Sequence, residues 1–181
     1  RRVLFRSPAL AVLTILFFMA IKPRVARNHF TTGQAYLDSA NYPAASESFT
    51  KALQWKTKFP RALAFRAEAF NLLEQYQPAN RDAQAAIDMA PALAKAYFEK
   101  AYALFYLDKP AEAEKNFLQS IEKGYRQALA NTFVGQIKNL QELPKEAIGY
   151  FTRALELDST LAKAYYNRGI ARASTKDYQG A

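Results

Sequence analysis

The stretch AKAYYNRGIARASTKDYQGA, Ala162–Ala181, decides the fold. It reads as an amphipathic helix, then a short polar turn at Lys176–Asp177, then the opening of a second helix at Tyr178–Ala181. The same frame begins at Ala128, Ala94, Pro60 and Ala26, each one step of 34 residues from the next. A period of this length is the mark of helix–turn–helix solenoids, in which each helix pair buries its apolar face by stacking on its neighbours.

Five registers follow: 26–59, 60–93, 94–127, 128–161 and the incomplete 162–181. The eighth residue of each is small (Gly33, Ala67, Ala101, Gly135, Gly169), and the twentieth is always alanine (Ala45, Ala79, Ala113, Ala147, Ala181). The twenty-seventh is small again, at Ala52, Ala86, Ser120 and Ala154. Two antiparallel helices that cross closely need such residues, because a larger side chain would force them apart. Phe49, Phe117 and Phe151 in second helices, with Tyr36, Phe70 and Leu104 in first helices, are the bulky anchors expected to fill the space between. Pro43, Pro78, Pro110 and Pro144 fall at or near the first turn of each second helix, where the missing N–H does no harm, and Pro60 and Pro91 fall at repeat junctions.

These residues resemble the tetratricopeptide repeat, a bulky residue followed by a small one, then aromatic, alanine, phenylalanine, alanine and proline. The likeness is clearest at Tyr165, Gly169, Tyr178 and Ala181, and at Tyr97, Ala101, Ala113 and Phe117. It covers Ala26–Ala181. Arg66, Lys100 and Arg168 depart from it by standing where the family carries leucine, and of the junction prolines only Pro91 is kept. The implied fold is all-α, a right-handed solenoid of antiparallel helix pairs preceded by a hydrophobic helix over 1–25.

That preceding segment carries much of the charge. The chain is formally +9, and Arg1, Arg2, Arg6, Lys22, Arg24 and Arg27 all precede the first acid, Asp38, leaving 19 basic and 16 acidic residues beyond them. Near-neutral repeats argue against nucleic-acid binding. Ala9–Ile21 is an uncharged run with Thr14 its only polar residue, about 20 Å long as a helix at ~1.5 Å per residue against a hydrocarbon core of ~30 Å. Counting from Val3, with Arg6 snorkelling, lengthens it to about 28 Å. Neither Phe18-Met19-Ala20 nor Arg24-Val25-Ala26 makes a good signal-peptidase site, and basic residues flank both ends. The expectation is therefore an uncleaved, single-pass membrane anchor of unassigned orientation.

The sequence offers no catalytic constellation. Its one histidine, His29, stands where the resemblance places a packing aromatic, and no phosphate loop or metalloprotease motif is present. Cysteine is absent, which removes disulfides and thiolate metal sites. No enzyme activity, cofactor or metal is expected. The resemblance instead implies a concave groove lined by residues 2, 5, 9, 12 and 13 of each repeat. Arg27, Arg61 and Lys95 then form a basic edge, and Phe98, Tyr102, Phe105 and Tyr106 an aromatic floor at i, i+4, i+7 and i+8. If those rings are not simply core, the arrangement suits a protein or peptide partner with acidic residues. The lysine–asparagine clamp with which some relatives hold a C-terminal carboxylate is missing, since its first positions are Phe30 and Gln34. The expected function is a membrane-tethered interaction scaffold, with a constitutive assembly subunit of a membrane complex as the alternative. Ala181 would be only the first small residue of a second helix, so further chain or a partner is expected at the C-terminal end.

Overall fold

A computed structural model describes the backbone of residues 8–175 and the side chains of residues 21–175. Within those bounds the chain is all helix: α1 Pro8–Asp38, α2 Tyr42–Trp55, α3 Pro60–Leu72, α4 Tyr76–Met89, α5 Ala94–Tyr106, α6 Pro110–Glu122, α7 Gln127–Leu140, α8 Pro144–Leu157 and α9 Ala162–Ser174. Each helix packs on the next in sequence, and the odd-numbered helices also meet one another along one side. The result is a stack of helix pairs, the layout of a solenoid.

Proline opens α3, α6 and α8 and lies in the first turn of α2, so the positions that cannot donate a hydrogen bond coincide with orphan N–H positions. The first helices end in a shared way. Ala40, Glu74, Asp108 and Glu142, each the fifteenth residue of its repeat, take left-handed φ values of 56–60°. The following N–H groups then reach back, Asn41 to Tyr36, Gln75 to Phe70, Lys109 to Leu104 and Leu143 to Lys138, at 2.8–3.0 Å. This is the Schellman closure, built here without glycine.

The small residues sit at the crossings. Ala45, Ala79, Ala113 and Ala147 are fully buried, as are Ala52, Ala86, Ser120 and Ala154. At Gly33 and Gly135 even a methyl group would force a shift, because a Cβ there would lie 2.6 Å from the Phe49 and Phe151 rings respectively. Arg66, Lys100 and Arg168, the departures from the family leucine, reach polar residues sixteen positions earlier: Thr50 at 3.0 Å, Gln84, and Thr152 at 3.5 Å. Arg66 also forms a two-pronged ion pair with Asp82, at 2.6 and 2.9 Å. A recurring polar link between successive repeats thus occupies the place of an apolar one.

One junction differs. Between α6 and α7 the chain turns through Gly124 at φ 77° and Arg126 at φ 44°, ψ 42°. Alanines 64, 67, 96 and 103 lie in the clusters that join α3 and α5, which pack closely. Between α5 and α7 stand Phe98, Tyr102, Phe105 and Phe133 instead, and these two helix backbones approach less closely. Rings where the preceding interface has methyl groups hold the first helices apart.

The membrane assignment is corrected. Among the described residues no helix is long and apolar enough to cross a membrane. The uncharged run is too short by itself, and the extension through Val3 and Arg6 that would have lengthened it lies outside the described residues. In the other direction the helix continues without interruption into Lys22, Pro23, Arg24 and Arg27 and becomes the first helix of the first pair. A single-pass, membrane-anchored protein is therefore not supported, nor is a separate hydrophobic helix preceding the solenoid. At the other end Tyr165 and Ala173 are exposed and Gly169 is half-buried, while Lys176–Ala181, on which the expected second helix falls, lie outside the described residues.

The Gly135 crossing gives a direct test. Gly135→Ala should lower unfolding free energy by about 1–3 kcal/mol, the usual cost of overpacking, read from urea denaturation. Phe151→Leu in the same chain should return part of that loss. A Gly135→Ala protein as stable as the parent would show that the ring moves aside freely.

Candidate functional site

Residues of α1, α3, α5 and α7, with Tyr42 at the start of α2, line a cleft of about 630 Å³. Gln34, Leu37 and Asp38 come from α1, and Phe65, Glu68, Asn71 and Leu72 from α3. Lys95, Phe98, Glu99 and Tyr102 come from α5, Leu129 and Phe133 from α7, and Tyr125 and Arg126 from the atypical junction. Most of the helical residues occupy positions 2, 5, 9, 12 and 13 of their repeats; Phe65, Glu99 and Phe133 add position 6.

The predicted site residues divide. Lys95, Phe98 and Tyr102 line the cleft, whereas Arg27, Arg61, Phe105 and Tyr106 do not. Arg27 and Arg61 are exposed, with the Arg61 guanidinium 5.3 Å over the Phe30 ring. Phe98 is core, 2% exposed, against Phe117, Tyr125 and Phe133. Tyr102 and Phe105 are half-buried. Tyr106 is 42% exposed and stacks on Tyr76 with centroids 4.9 Å apart. The four rings expected to form one floor are thus a gradient from core to rim.

Lys95 is not the free cation expected of it. It is 7% exposed, and its Nζ donates to Glu68 Oε2 at 2.5 Å and to Tyr125 Oη at 3.0 Å, with Glu99 Oε1 3.5 Å away. Arg126 reaches 58 residues back to donate to Glu68 Oε1 at 2.7 Å and stands 4.0 Å from Glu99 Oε1. Asn71 donates through Nδ2 to both the backbone oxygen and Oε2 of Glu99, at 2.9 and 3.0 Å. Two carboxylates and two cations are interleaved in one cluster.

Their titration follows from these contacts. Burial would lower the Lys95 pKa, but the Glu99 and Glu68 carboxylates outweigh it and the pKa is raised. Arg126 is shifted the same way against its own burial, by Glu99, Tyr125 and Glu68. Glu99 is raised too, chiefly by complete burial, with Glu68 adding repulsion and Lys95 and Arg126 opposing. Burial first, and then the neighbouring Tyr106 hydroxyl, push the Tyr102 hydroxyl upward. Of the groups lining the cleft, the buried oxygens Asn71 Oδ1 and Glu99 Oε1 accept no hydrogen bond from any described residue.

Glu68, Glu99, Tyr125 and Arg126 escaped the sequence reading. Glu68 holds the ninth position of its repeat, the groove position that Tyr102 holds in the next, but residue type alone does not mark an acid there as buried. Arg126 could not be found by register, since only the left-handed turn after Gly124 brings it to the concave side.

A family model described as Tetratricopeptide repeat matches residues 94–122, the α5–α6 pair that carries Lys95, Phe98, Glu99 and Tyr102. DnaJ protein P58IPK homolog B of Oryza sativa subsp. japonica is 34% identical over 66% of this chain and 29% of its own length. Among solved structures, that of Pseudomonas aeruginosa pilF superposes with a TM-score of 0.77 at 17% identity, over 88% of this chain and 72% of that one. The first TPR of Spaghetti (RPAP3), bound to the HSP90 peptide SRMEEVD, superposes with a TM-score of 0.63 at 23% identity, over 66% of this chain and 95% of that one. At these identities the structural likeness is one of fold. The chain spans less than a third of the length of the curated relatives it matches. It carries a tetratricopeptide repeat at 94–122 within an all-α solenoid of the tetratricopeptide kind.

The buried cluster predicts a pH signature. Because the Glu99 pKa is raised above its ordinary 4.5, the native chain keeps a proton that the unfolded chain has released, and this group's contribution to stability falls as pH rises through the raised value. Glu99→Gln removes that fall. The urea midpoint of Glu99→Gln relative to the parent should therefore climb between pH 4.5 and neutrality; a difference independent of pH would mean that Glu99 titrates normally.

Proposed function

We propose that this chain is a non-enzymatic interaction scaffold that binds a segment of a partner protein in its concave cleft. The observation that carries this reading is a single cleft walled by the first helices of four successive repeats, with aromatic faces at its centre and exposed Leu129 at its edge. Such a groove buries the apolar side chains of an extended or helical segment while its polar groups fix register. Solved tetratricopeptide structures of similar fold include one bound to a peptide and one described as having an unusual peptide-binding site, which supports the same use of the concave side here. Of the basic ladder that suggested an acidic partner, Arg27 and Arg61 remain exposed and can meet acidic residues outside the cleft, whereas Lys95 is already neutralised within it.

The test is a selection of random dodecapeptides, displayed on phage, against the full chain. Peptides so obtained should bind Tyr102→Ala at least tenfold more weakly, since truncating a central aromatic anchor costs about 2 kcal/mol or more. Leu129→Glu, a change at an exposed edge position, should weaken them as well, and both variants should keep the parent's helical circular dichroism. Peptides indifferent to both substitutions would bind elsewhere and remove the cleft from consideration.

A further inference from the structure

The two cations lining the cleft, Lys95 and Arg126, differ in what they have left to give. Lys95 is buried, and its ammonium is spent on Glu68 Oε2 and Tyr125 Oη, with Glu99 Oε1 3.5 Å away. Arg126 is exposed, and its guanidinium donates to Glu68 Oε1 at 2.7 Å through Nη2. Glu99 Oε1 stands 4.0 Å from Nη1, beyond hydrogen-bonding reach. A guanidinium is a planar fork of N–H donors, and the remaining donors of Arg126 have no partner among the described residues. That fork is also held in place. It stands over the Phe98 and Tyr125 rings, 5.4 and 5.5 Å from their centroids, while Glu68 fixes one edge. A donor fork oriented in advance loses little freedom when a carboxylate docks on its open edge.

The backbone that delivers this fork is particular to its junction. Arg126 takes φ 44° and ψ 42°, a left-handed conformation that a non-glycine residue adopts at a cost. Lys58, Ala92 and Thr160 hold the same position in their repeats, and none of them has a positive φ. A further cation stands on the same side: the Nζ of exposed Lys163 lies 5.4 Å from the centroid of Phe133, the cleft ring that meets Phe98 edge to face at 6.5 Å. The acids nearby do not cancel these charges. Glu68 is shared between Lys95 and Arg126, so one carboxylate answers two cations. Glu99 is fully buried, which disfavours its charged form. Asp38 belongs to α1, which α3 and α5 separate from the Arg126 junction in the stack. A phosphate group, with about 1.5 to 2 negative charges, would meet greater repulsion from Glu68 than a carboxylate does, so the open edge suits the singly charged group.

We propose that Arg126 anchors a glutamate or aspartate side chain within the partner segment, through the N–H donors that Glu68 leaves unused. This rests on the reading of the cleft as a peptide site and names both the residue that the site takes and the group that takes it. Tyr102 and exposed Leu129 receive the apolar neighbours of that acid, and Lys163 adds attraction as the segment approaches.

The test uses dodecapeptides recovered by the selection above whose binding responds to Tyr102→Ala. Displayed through their C-termini, they offer no free α-carboxylate, so the selection reads side chains alone. They should be enriched in glutamate or aspartate at one position. In synthetic peptides with amidated C-termini, replacing that residue with glutamine or asparagine should weaken binding to the parent protein about tenfold. Arg126→Gln should bind the acidic peptide and its amide analogue within twofold of each other. Arg126→Lys keeps the charge but loses the fork, and should bind the acidic peptide at least threefold more weakly than the parent. The peptide replacement is read on the unaltered protein, so it tests the acid even if an Arg126 variant perturbs folding. Cleft-binding peptides without an acidic residue, a loss below twofold on replacing it, or an equal loss in the parent and in Arg126→Gln overturn the assignment to Arg126 while the peptide groove stands. A selection that yields no peptide sensitive to Tyr102→Ala overturns both.

Discussion

The close crossing of paired helices is the constraint on which everything else in this structure depends. Phe49 and Phe151 pack against glycines at which even one added carbon would collide with the ring. Elsewhere the same crossings are made by fully buried alanines and Ser120. Each pair can approach this closely only because the first helix is closed by a left-handed residue and the second is opened by proline or by a short turn. The backbone reversal and the small-residue seam are two halves of one requirement. A repeat array follows because a single pair leaves its other face open.

The cleft arises where that regularity is relaxed. Alanine between α3 and α5 lets those helices close, whereas aromatic side chains between α5 and α7 prevent it. The junction before α7 then departs from the helix-ending pattern of the others, and Tyr125 and Arg126 turn toward the concave side. The gap is apolar at its base, where Phe117 and Phe133 stack with centroids 5.0 Å apart, and ionic above. Glu99 is buried among these groups, and burial accordingly dominates its titration.

How far the sequence reveals this depends on which physical rule governs each feature. The recurrence of small residues at fixed spacing is a packing rule, visible in the residue types alone, and it exposes the all-α solenoid. Groove register is legible by the same route, which is why Lys95, Phe98 and Tyr102 fall in the cleft. The state of those residues is not legible. Whether Lys95 is a free cation depends on Glu68, 27 residues away, and on Tyr125, 30 residues away. Hydropathy also misleads at the N-terminal arm: Ala9–Ile21 resembles about two thirds of a membrane span, and the described helix carries that run straight into charged residues and the first repeat.

A cluster of four ionisable groups, of which Glu68, Lys95 and Glu99 are buried and Arg126 is exposed, is poor material for stability. Desolvating each ion costs several kcal/mol, and well-packed apolar residues of like volume often serve a fold as well or better. The cluster here is also incompletely satisfied, since Glu99 Oε1 lies within ion-pair distance of two cations yet accepts a hydrogen bond from neither. A further cost sits in the left-handed backbone of Arg126, which no glycine relieves. The buried ions and their unmet oxygens fall together in one cleft, while the crossings within the helix pairs are lined with fully buried alanine. An arrangement serving the fold alone would fill the α5–α7 gap with more aromatic carbon, as Phe98 and Phe133 already do below. The gap instead holds charges and an amide tied to one another by ion pairs and hydrogen bonds, and groups preoriented in this way are the physical condition for telling one partner side chain from another.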